Sequence, residues 1–313
     1  MLAALALTSC IKGDDTYKDL LPVQPGQYIY SYVTTQNRIS MQAANAGMRM
    51  AILAAEVAKQ REAGDDEVTV ADVKDDTGKV IYKSLFGNNT KVEVVSEGYK
   101  LTFSKNDQMA DGFYLEGSLL VQTKGASELA DAAQWSVEMQ PDFKLYNYPS
   151  YGGEATQINM NGGTTTLKDN GDGSYTISLF GIGASVEGSD GGYSNWSSMG
   201  NGFVIRPVDD DVTLAYSSCK GKTFRVNGSA SGPSIYRNLY GTNQIGMSYS
   251  VTDGRYIGLQ IVSGTQQCAF TSTFDYDTTA YPAPDVRYVY SFDEANRTYS
   301  YRIYYNGNTY PKE

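Results

Sequence analysis

The chain has 313 residues, of which 41% are hydrophobic and 19% charged, with 26 Tyr, 3 Cys, no His and a formal net charge of −10. This composition excludes wholesale disorder, and because no apolar run reaches about 18 residues, we expect no polytopic membrane protein. Without His there is no imidazole base and no His-ligated metal site, and the acidic balance disfavours a nucleic-acid partner.

The N-terminal residues carry a targeting pattern. An apolar run leads into Leu7-Thr8-Ser9-Cys10, and Lys12-Gly13-Asp14-Asp15 follows. The first motif resembles the lipobox of bacterial lipoproteins, and the second resembles the acidic export signal of Bacteroidetes surface lipoproteins. The resemblance implies that residues 1–9 are a signal-peptide remnant and that Cys10 is acylated. It implies an outer-membrane protein that faces the cell exterior, held to the membrane only by the lipid on Cys10, with residues 10–26 as the tether.

Residues 36–63 have the periodicity of a helix. Small and apolar side chains recur there at steps of three and four, which predicts a narrow stripe packed on a sheet or across a barrel mouth. The stripe consists of Met41, Ala44, Met48, Ala51, Ala55 and Ala58. Gly64 follows directly and is predicted to end the helix. Before the helix, the tyrosines of residues 28–33 recur at every second position, which predicts a strand.

From residue 68 onward we predict strand after strand, joined by tight turns. Residues 75–78, 96–98 and 169–173 combine Gly with Asp, Asn or Ser, the residues that supply the backbone angles of hairpin turns. In the C-terminal hairpin, aromatic residues including Tyr288 and Tyr301 alternate along both strands. Alternation normally marks burial, so we interpret these aromatic residues as core rather than as an exposed platform.

These elements predict an all-β fold, an antiparallel sandwich or barrel-like sheets, with one N-terminal α-helix at about residues 36–63. Residues 141–153 are rich in Pro and Gly and are the best candidate for a domain boundary. We expect a helix-plus-β domain at residues 27–145 and an antiparallel β domain at residues 146–313. A single large β domain is the alternative.

Two cysteines lie outside the signal region, Cys219 and Cys268. A disulfide between them would stabilise the fold by up to about 4 kcal/mol. The alternative is two buried free thiols, and the sequence leaves both open because it does not give the distance between the two residues. Two Cys without a His are too few for a metal site.

No motif indicates catalysis. Gly221-Lys222-Thr223 lacks the Gly that a phosphate-binding loop requires at position 216, and Gly181-Ile182-Gly183 is followed by no third Gly at position 186. The acidic residues 169–173 have the ligand chemistry for calcium, but position 180 is Phe where a calcium loop requires Glu, so we predict a plain turn. We therefore expect no enzyme, no catalytic residue, no cofactor and no metal.

The most suggestive segment is residues 188–202, where small polar residues surround Tyr193 and Trp196. Binding loops often combine aromatic rings with such residues. In one interpretation Trp196 stacks on a sugar ring while Asp190 and Asn195 bind its hydroxyl groups. In the other, Trp196 belongs to the core and the glycines form a plain linker.

Taken with the export signal, this segment predicts a lipid-anchored cell-surface binding protein for an extracellular glycan or a protein partner. One alternative is a structural or adhesive subunit of a surface assembly, joined through its sheet edges. Another is a lipocalin-like barrel that holds a small apolar ligand, with the helix across its mouth.

Overall fold

The structure is a computed structural model. It describes residues 27–64, 68–69, 73–82, 85–86, 90–96, 98–109, 113–122, 135–147, 158–187, 193–238, 241–270, 274–276, 279–281, 287–293, 295–296, 298–305 and 308–310. Within these residues the chain forms a long helix, a four-residue helix and nineteen strands. No helix in this part of the chain has both the length and the apolar character to cross a membrane.

The long helix is α1 (Gln27–Glu62), and its residues 51–58 are all buried. Successive residues of a helix point about 100° apart, so eight consecutive buried positions mean that every face of α1 is covered along residues 51–58. The helix ends as predicted at Gly64, which has a φ of +82° and whose N–H donates to the carbonyl of Arg61 at 3.0 Å. Glycine adopts this left-handed conformation without strain.

The predicted helix is confirmed and extends farther toward the N-terminus than predicted, so the strand predicted before it is wrong. The helix begins at Gln27, so residues 28–33 belong to its first turns. The tyrosines of this segment alternate with Ile29 and Val33, which are also apolar. A run that is apolar at odd and even positions fits both periods, and continuity with the helix that follows decides its conformation.

The remaining elements lie between residues 73 and 310. The strands are β1 (Val73–Lys74), β2 (Val80–Tyr82), β3 (Lys91–Val95), β4 (Gly98–Gln108), β5 (Tyr114–Gln122), β6 (Trp135–Met139), β7 (Lys144–Asn147), β8 (Ile158–Asn161), β9 (Gly163–Asp169), β10 (Tyr175–Glu187), β11 (Tyr193–Pro207), β12 (Thr223–Asn238), β13 (Gly241–Ile257), β14 (Gln260–Phe270), β15 (Phe274–Tyr276), β16 (Thr279–Tyr281), β17 (Arg287–Asp293), β18 (Thr298–Tyr305) and β19 (Asn308–Tyr310). The short helix α2 (Tyr216–Cys219) lies between β11 and β12. The predicted all-β antiparallel fold with one main N-terminal helix is confirmed.

Fifteen strands form one antiparallel sheet that runs from β3 to β19. β6 and β7 pair with opposite ends of β5, and β8 and β9 lie end to end beside β10. Each of these two pairs therefore acts as one interrupted strand, and the sheet is an up-and-down meander. The hairpins β1–β2 and β15–β16 form separate two-stranded sheets.

The sheet curves around α1. The helix contacts β6, every strand from β8 to β14, and β17. The long strands bend where their register shifts, as in β10 between Ser178 and Gly183. Such bulges increase the local twist and allow a long strand to follow a curved surface. We call the face toward α1 the inner face and the opposite face the outer face.

Strands on both sides of the expected domain boundary pair with each other. The boundary after residue 145 falls inside β7. β7 pairs with β8, and β6 pairs with β9, so the ladder continues across this point.

The turn predicted at residues 75–78 and the core position predicted for the C-terminal aromatic residues are confirmed. The carboxylate of Asp75 accepts hydrogen bonds from the N–H groups of Thr77 and Lys79 at 2.9 and 3.0 Å, which closes the β1–β2 hairpin. In the C-terminal hairpin, Tyr288 is buried and its ring stacks on that of Tyr301 at a centroid distance of 5.7 Å. These rings pack against the core, as the alternation predicts.

Candidate functional site

Residues 193–202, the described part of the segment that the sequence singled out, belong to β11 rather than to a loop. Tyr193 is its first residue, and the placement of the Tyr193 side chain lies outside the described part of the chain, as does Asp190. β11 pairs with β10 on one side and β12 on the other. Its side chains therefore alternate between the inner and outer faces of a central strand.

Trp196 lies on the inner face and has no exposed surface. Its indole Nε1 donates to the backbone carbonyl of Met247 at 3.3 Å. The interpretation in which Trp196 stacks on a sugar ring is therefore wrong for this conformation, because the ring has no accessible face. Trp196 belongs to the core, which was the other interpretation of the sequence.

Asn195 holds two strands together. Its Oδ1 accepts a hydrogen bond from the N–H of Ile235 at 2.9 Å, and its carbonyl accepts one from the hydroxyl of Ser234 at 2.9 Å. The amide oxygen that was predicted to bind a sugar hydroxyl is bound to the backbone of β12 instead.

The outer face of β10 and β11 carries an exposed apolar pair, Phe180 and Met199. The two residues are direct cross-strand partners. They are 66% and 69% exposed, whereas Leu179, one position from Phe180, is completely buried. Large apolar side chains that are this exposed and lie side by side are unusual on a protein surface, and such patches often mark interaction sites.

Each member of the pair immediately precedes a glycine with a positive φ. Gly181 has a φ of +68° and Gly200 a φ of +98°. These glycines lie where the register between β10 and β11 or between β11 and β12 shifts. Bulges change the direction in which neighbouring side chains point, and here both bulges lie beside the exposed pair.

Small uncharged residues lie directly beside the pair. Thr164 lies opposite Phe180 on β9. A Cβ added at Gly200 would lie 3.6 Å from Cδ2 of Phe180, so the phenyl ring extends across this glycine. Phe180 and Met199 therefore project from the sheet beside the small residues Thr164 and Gly200.

The two cysteines do not form the disulfide that was one of the two alternatives. Both thiols are free and buried, and Cys219 lies in α2 rather than in a strand. Burial raises the pKa of each thiol to about 12; for Cys219 the charge of Glu56 adds to this effect. Cys219 lies near Glu56 and Cys268 near Ser40, and these helix positions are about 24 Å apart along α1. A disulfide requires Cα atoms roughly 4.4–6.8 Å apart.

The acidic residues 169–173 form the predicted turn between β9 and β10. Oδ1 of Asp169 accepts from the N–H of Gly171 at 2.7 Å, and Oδ1 of Asp172 accepts from the N–H of Ser174 at 3.0 Å. Oδ2 of Asp172 binds Nη2 of Arg206 at 2.7 Å. Hydrogen bonds from Ser174 are the main reason that the pKa of Asp172 is lowered. Both carboxylates are bound within the turn, and that of Asp172 also binds Arg206 on β11.

Comparison with known proteins adds no assignment, because no protein-family model, no curated protein and no solved structure matches this chain. Among the described residues, no group of three or more Cys, Asp or Glu side chains is placed to hold a metal ion. The candidate site therefore depends on the geometry of the outer face.

The sequence contained part of this site without revealing it. Met199 lies within residues 188–202, whose interpretation depends on the aromatic residues Tyr193 and Trp196. Phe180 was considered only as the residue that replaces the calcium-loop Glu. Both precede a glycine within a strand, a pattern that indicates a bulge, and this was the signal that could have identified them.

Proposed function

We propose that this chain is a lipid-anchored binding protein displayed on the cell surface, and that a protein partner docks on its outer face at Phe180 and Met199. The observation that carries the docking proposal is the exposure of this cross-strand pair, at 66% and 69%. The anchor is supported by the resemblance of residues 7–15 to a lipobox followed by an acidic export signal.

The chemistry of the pair favours a protein over a glycan. Phe and Met are enriched at the centre of protein interfaces, where apolar anchors fill a groove on the partner. The flexible thioether of Met199 adapts to such a groove. A sugar ring also needs hydrogen-bonding groups beside the ring on which it stacks, and the amide oxygen of Asn195 is already bound to β12.

The position of α1 disfavours the lipocalin-like alternative. Lipocalin-like barrels hold their ligand inside the sheet. Here α1 is covered on every face along residues 51–58, so the helix occupies the space that an internal ligand would need.

Site-specific photo-crosslinking on intact cells tests the docking proposal. A photo-reactive amino acid at position 199 should give one discrete crosslinked species, which Phe180→Asp should reduce at least about fivefold because a buried carboxylate opposes docking. The same probe at position 94, on β3 and 74% exposed, is the matched control and should not give that species. Identical products from both positions, or none from position 199, would refute the docking site.

Lipid labelling tests the anchor separately. Cells fed an alkyne fatty acid should incorporate it into the wild-type chain and not into Cys10→Ala. The Cys10→Ala chain should also leave the membrane fraction, since the lipid supplies the membrane affinity. If the wild-type chain incorporates no label, the anchor is refuted. The docking site is tested independently by the crosslinking experiment.

A second candidate function is a subunit of a surface assembly. β3 lies at one end of the described sheet, and Val94 on this strand is 74% exposed. An edge strand with exposed apolar side chains can pair with a strand of another molecule. Light scattering across a concentration series distinguishes the candidates: assembly that Val94→Lys abolishes and Phe180→Asp leaves intact favours the edge.

A further inference from the structure

Three arginines lie in one row on the outer face of the sheet, on adjacent strands. Arg206 on β11 is the cross-strand partner of Arg225 on β12, and Arg225 is the partner of Arg255 on β13. Their inner-face neighbours Phe224 and Tyr256 are buried, which places the arginine side chains on the opposite face. Adjacent members of the row are separated by about 4.8 Å at the backbone. We call these three residues the arginine row.

A row of like charges is unfavourable for the fold itself. Like charges directly opposite each other on neighbouring strands repel. The chain has 35 acidic residues and only 25 basic ones, so three adjacent arginines do not reflect an excess of basic residues in the composition. The fold compensates the row at one end, where Nη1 and Nη2 of Arg206 bind the carbonyl and carboxylate of Asp172 at 2.6 and 2.7 Å.

Arg225, at the centre of the row, is exposed and contacts no carboxylate among the described residues. A guanidinium group binds carboxylate and sulfate groups through two parallel hydrogen bonds. With an arginine on each side, Arg225 is the natural centre of a site for an extended anion.

The position of the row separates it from the membrane end of the molecule. The hydroxyl of Ser234 on β12 donates to Oε1 of Gln36, near the start of α1, at 2.8 Å. Arg225 lies nine positions earlier on β12, about 30 Å away. The segment between β11 and β12 contacts the other end of α1, where Ser217 binds Glu56. The row therefore lies far from the point at which the tether enters the fold.

We infer that the arginine row binds an acidic polysaccharide, one whose sugars carry sulfate or carboxylate groups. Charge complementarity supports an anion with several closely spaced groups. An extended peptide repeats its same-face side chains only every 6.6 Å or so, farther apart than the arginines. The neighbouring rows supply groups suited to sugars, with the Thr223 hydroxyl beside the apolar side chains of Val208 and Ile257, which are 39% and 45% exposed. This site is distinct from the Phe180–Met199 pair and does not depend on the proposed protein partner.

Binding to heparin, a sulfated uronic-acid polysaccharide, tests the inference with the full chain. Wild-type protein should bind immobilised heparin with an affinity that falls as salt is raised. Arg225→Gln should raise Kd about tenfold, the effect of losing one charge-assisted contact. Arg302→Gln, which removes the same charge from the outer face of β18, is the matched control and should change Kd less than about twofold.

Thermal unfolding and competition make the result decisive. Arg225→Gln should unfold at the same temperature as wild type or higher, because it relieves repulsion within the row. Poly-glutamate should compete poorly with heparin at equal charge. The inference is overturned if wild type does not bind, if Arg225→Gln and Arg302→Gln weaken binding equally, or if poly-glutamate competes as well as heparin, which would make the ligand an acidic protein.

Discussion

Glu56 in α1 accepts a hydrogen bond from the backbone N–H of Ser217 at 2.8 Å, although the two residues are 161 positions apart in the chain. Ser217 lies in the first turn of α2, whose N-cap residue Ala215 makes no side-chain hydrogen bond. The carboxylate of Glu56 thus caps α2 from another element, and it is only 4% exposed. Its other oxygen accepts from Nε2 of Gln60 at 2.6 Å.

Removing this cap should destabilise the whole fold. We expect Glu56→Ala to lower the free energy of unfolding by about 1–2 kcal/mol, because it removes the carboxylate that accepts the N–H of Ser217 and caps α2. Glu62→Ala, at the exposed end of the same helix, is the control and should change stability by about 0.5 kcal/mol or less. Chemical denaturation measures both, and similar losses in the two variants would contradict the capping role.

The opposite placements of Trp196 and Met199 make a direct test of the register of β11. We expect Trp196→Ala to lower the free energy of unfolding by about 3–5 kcal/mol, because it leaves a large cavity. Met199→Ala, three positions along the same strand, should cost about 0.5 kcal/mol or less. Acrylamide should quench the tryptophan fluorescence poorly, since Trp135 and Trp196 are both completely buried. Strong quenching, or equal losses in the two variants, would mean that the register is wrong.

The two buried thiols should make the fold less stable in alkaline solution. Burial raises the pKa of Cys219 and Cys268 to about 12 in the folded chain, whereas an unfolded Cys titrates near 8.5. Between these values the unfolded chain binds fewer protons than the folded chain. The free energy of unfolding therefore falls as pH rises through this window, by up to about 1.4 kcal/mol per pH unit for each thiol.

Comparison with cysteine variants isolates this effect from other titrating groups. Burial also raises the pKa of Tyr256 to about 12, and it lowers the pKa of Arg49 to about 9, which acts in the opposite direction. These groups are common to wild type and to a Cys219→Ala/Cys268→Ala double variant. The double variant should lose less stability between pH 8.5 and about 11. Parallel pH profiles, or rapid labelling of Cys219 or Cys268 in the folded chain at pH 8, would contradict the burial of the two thiols.

The backbone at Gly181 should tolerate asparagine better than valine. Gly181 has a φ of +68°, and a Cβ added there would have only the Cα of Gly163 nearby, at 3.6 Å. Space is therefore not limiting, and the cost of substitution is the strain of the left-handed conformation. We expect Gly181→Val to cost about 1–2 kcal/mol more than Gly181→Asn, as measured by denaturation. Thr164→Val on the neighbouring strand controls for the change of side chain, and a loss there as large as at Gly181 would argue against backbone strain.

The parts of the fold that local chemistry determines were predictable from the sequence. The hairpin turn at Asp75 and the end of α1 at Gly64 depend on residues only a few positions apart, and both were predicted. The strand predicted at residues 28–33 failed because its apolar residues fit two periods. Only the structure shows that the helical period applies there, because the helix already begins at Gln27.

The candidate sites depend on register, which the sequence alone does not provide. The sequence predicted a loop or linker around Trp196 and Asn195, and only the strand pairing shows that the two residues face opposite sides of a sheet. The bulges at Gly181 and Gly200 then shift the pattern within each strand. The arginine row is even harder to predict from the sequence, because its members become neighbours only when three strands pair in this register. The distance between Cys219 and Cys268 likewise exists only in the folded chain.

Some of the strands that enclose α1 are synthesised long after the helix itself. The helix is made before every strand that the structure describes, yet it contacts β17, which is made about 225 residues later. At about 5–20 residues per second, the ribosome needs about 11–45 s to complete this interval. During that time, and through any export step, the apolar surface of residues 39–58 has no complete cover. A chain that stops before its last hairpin should therefore aggregate rather than yield a smaller folded protein.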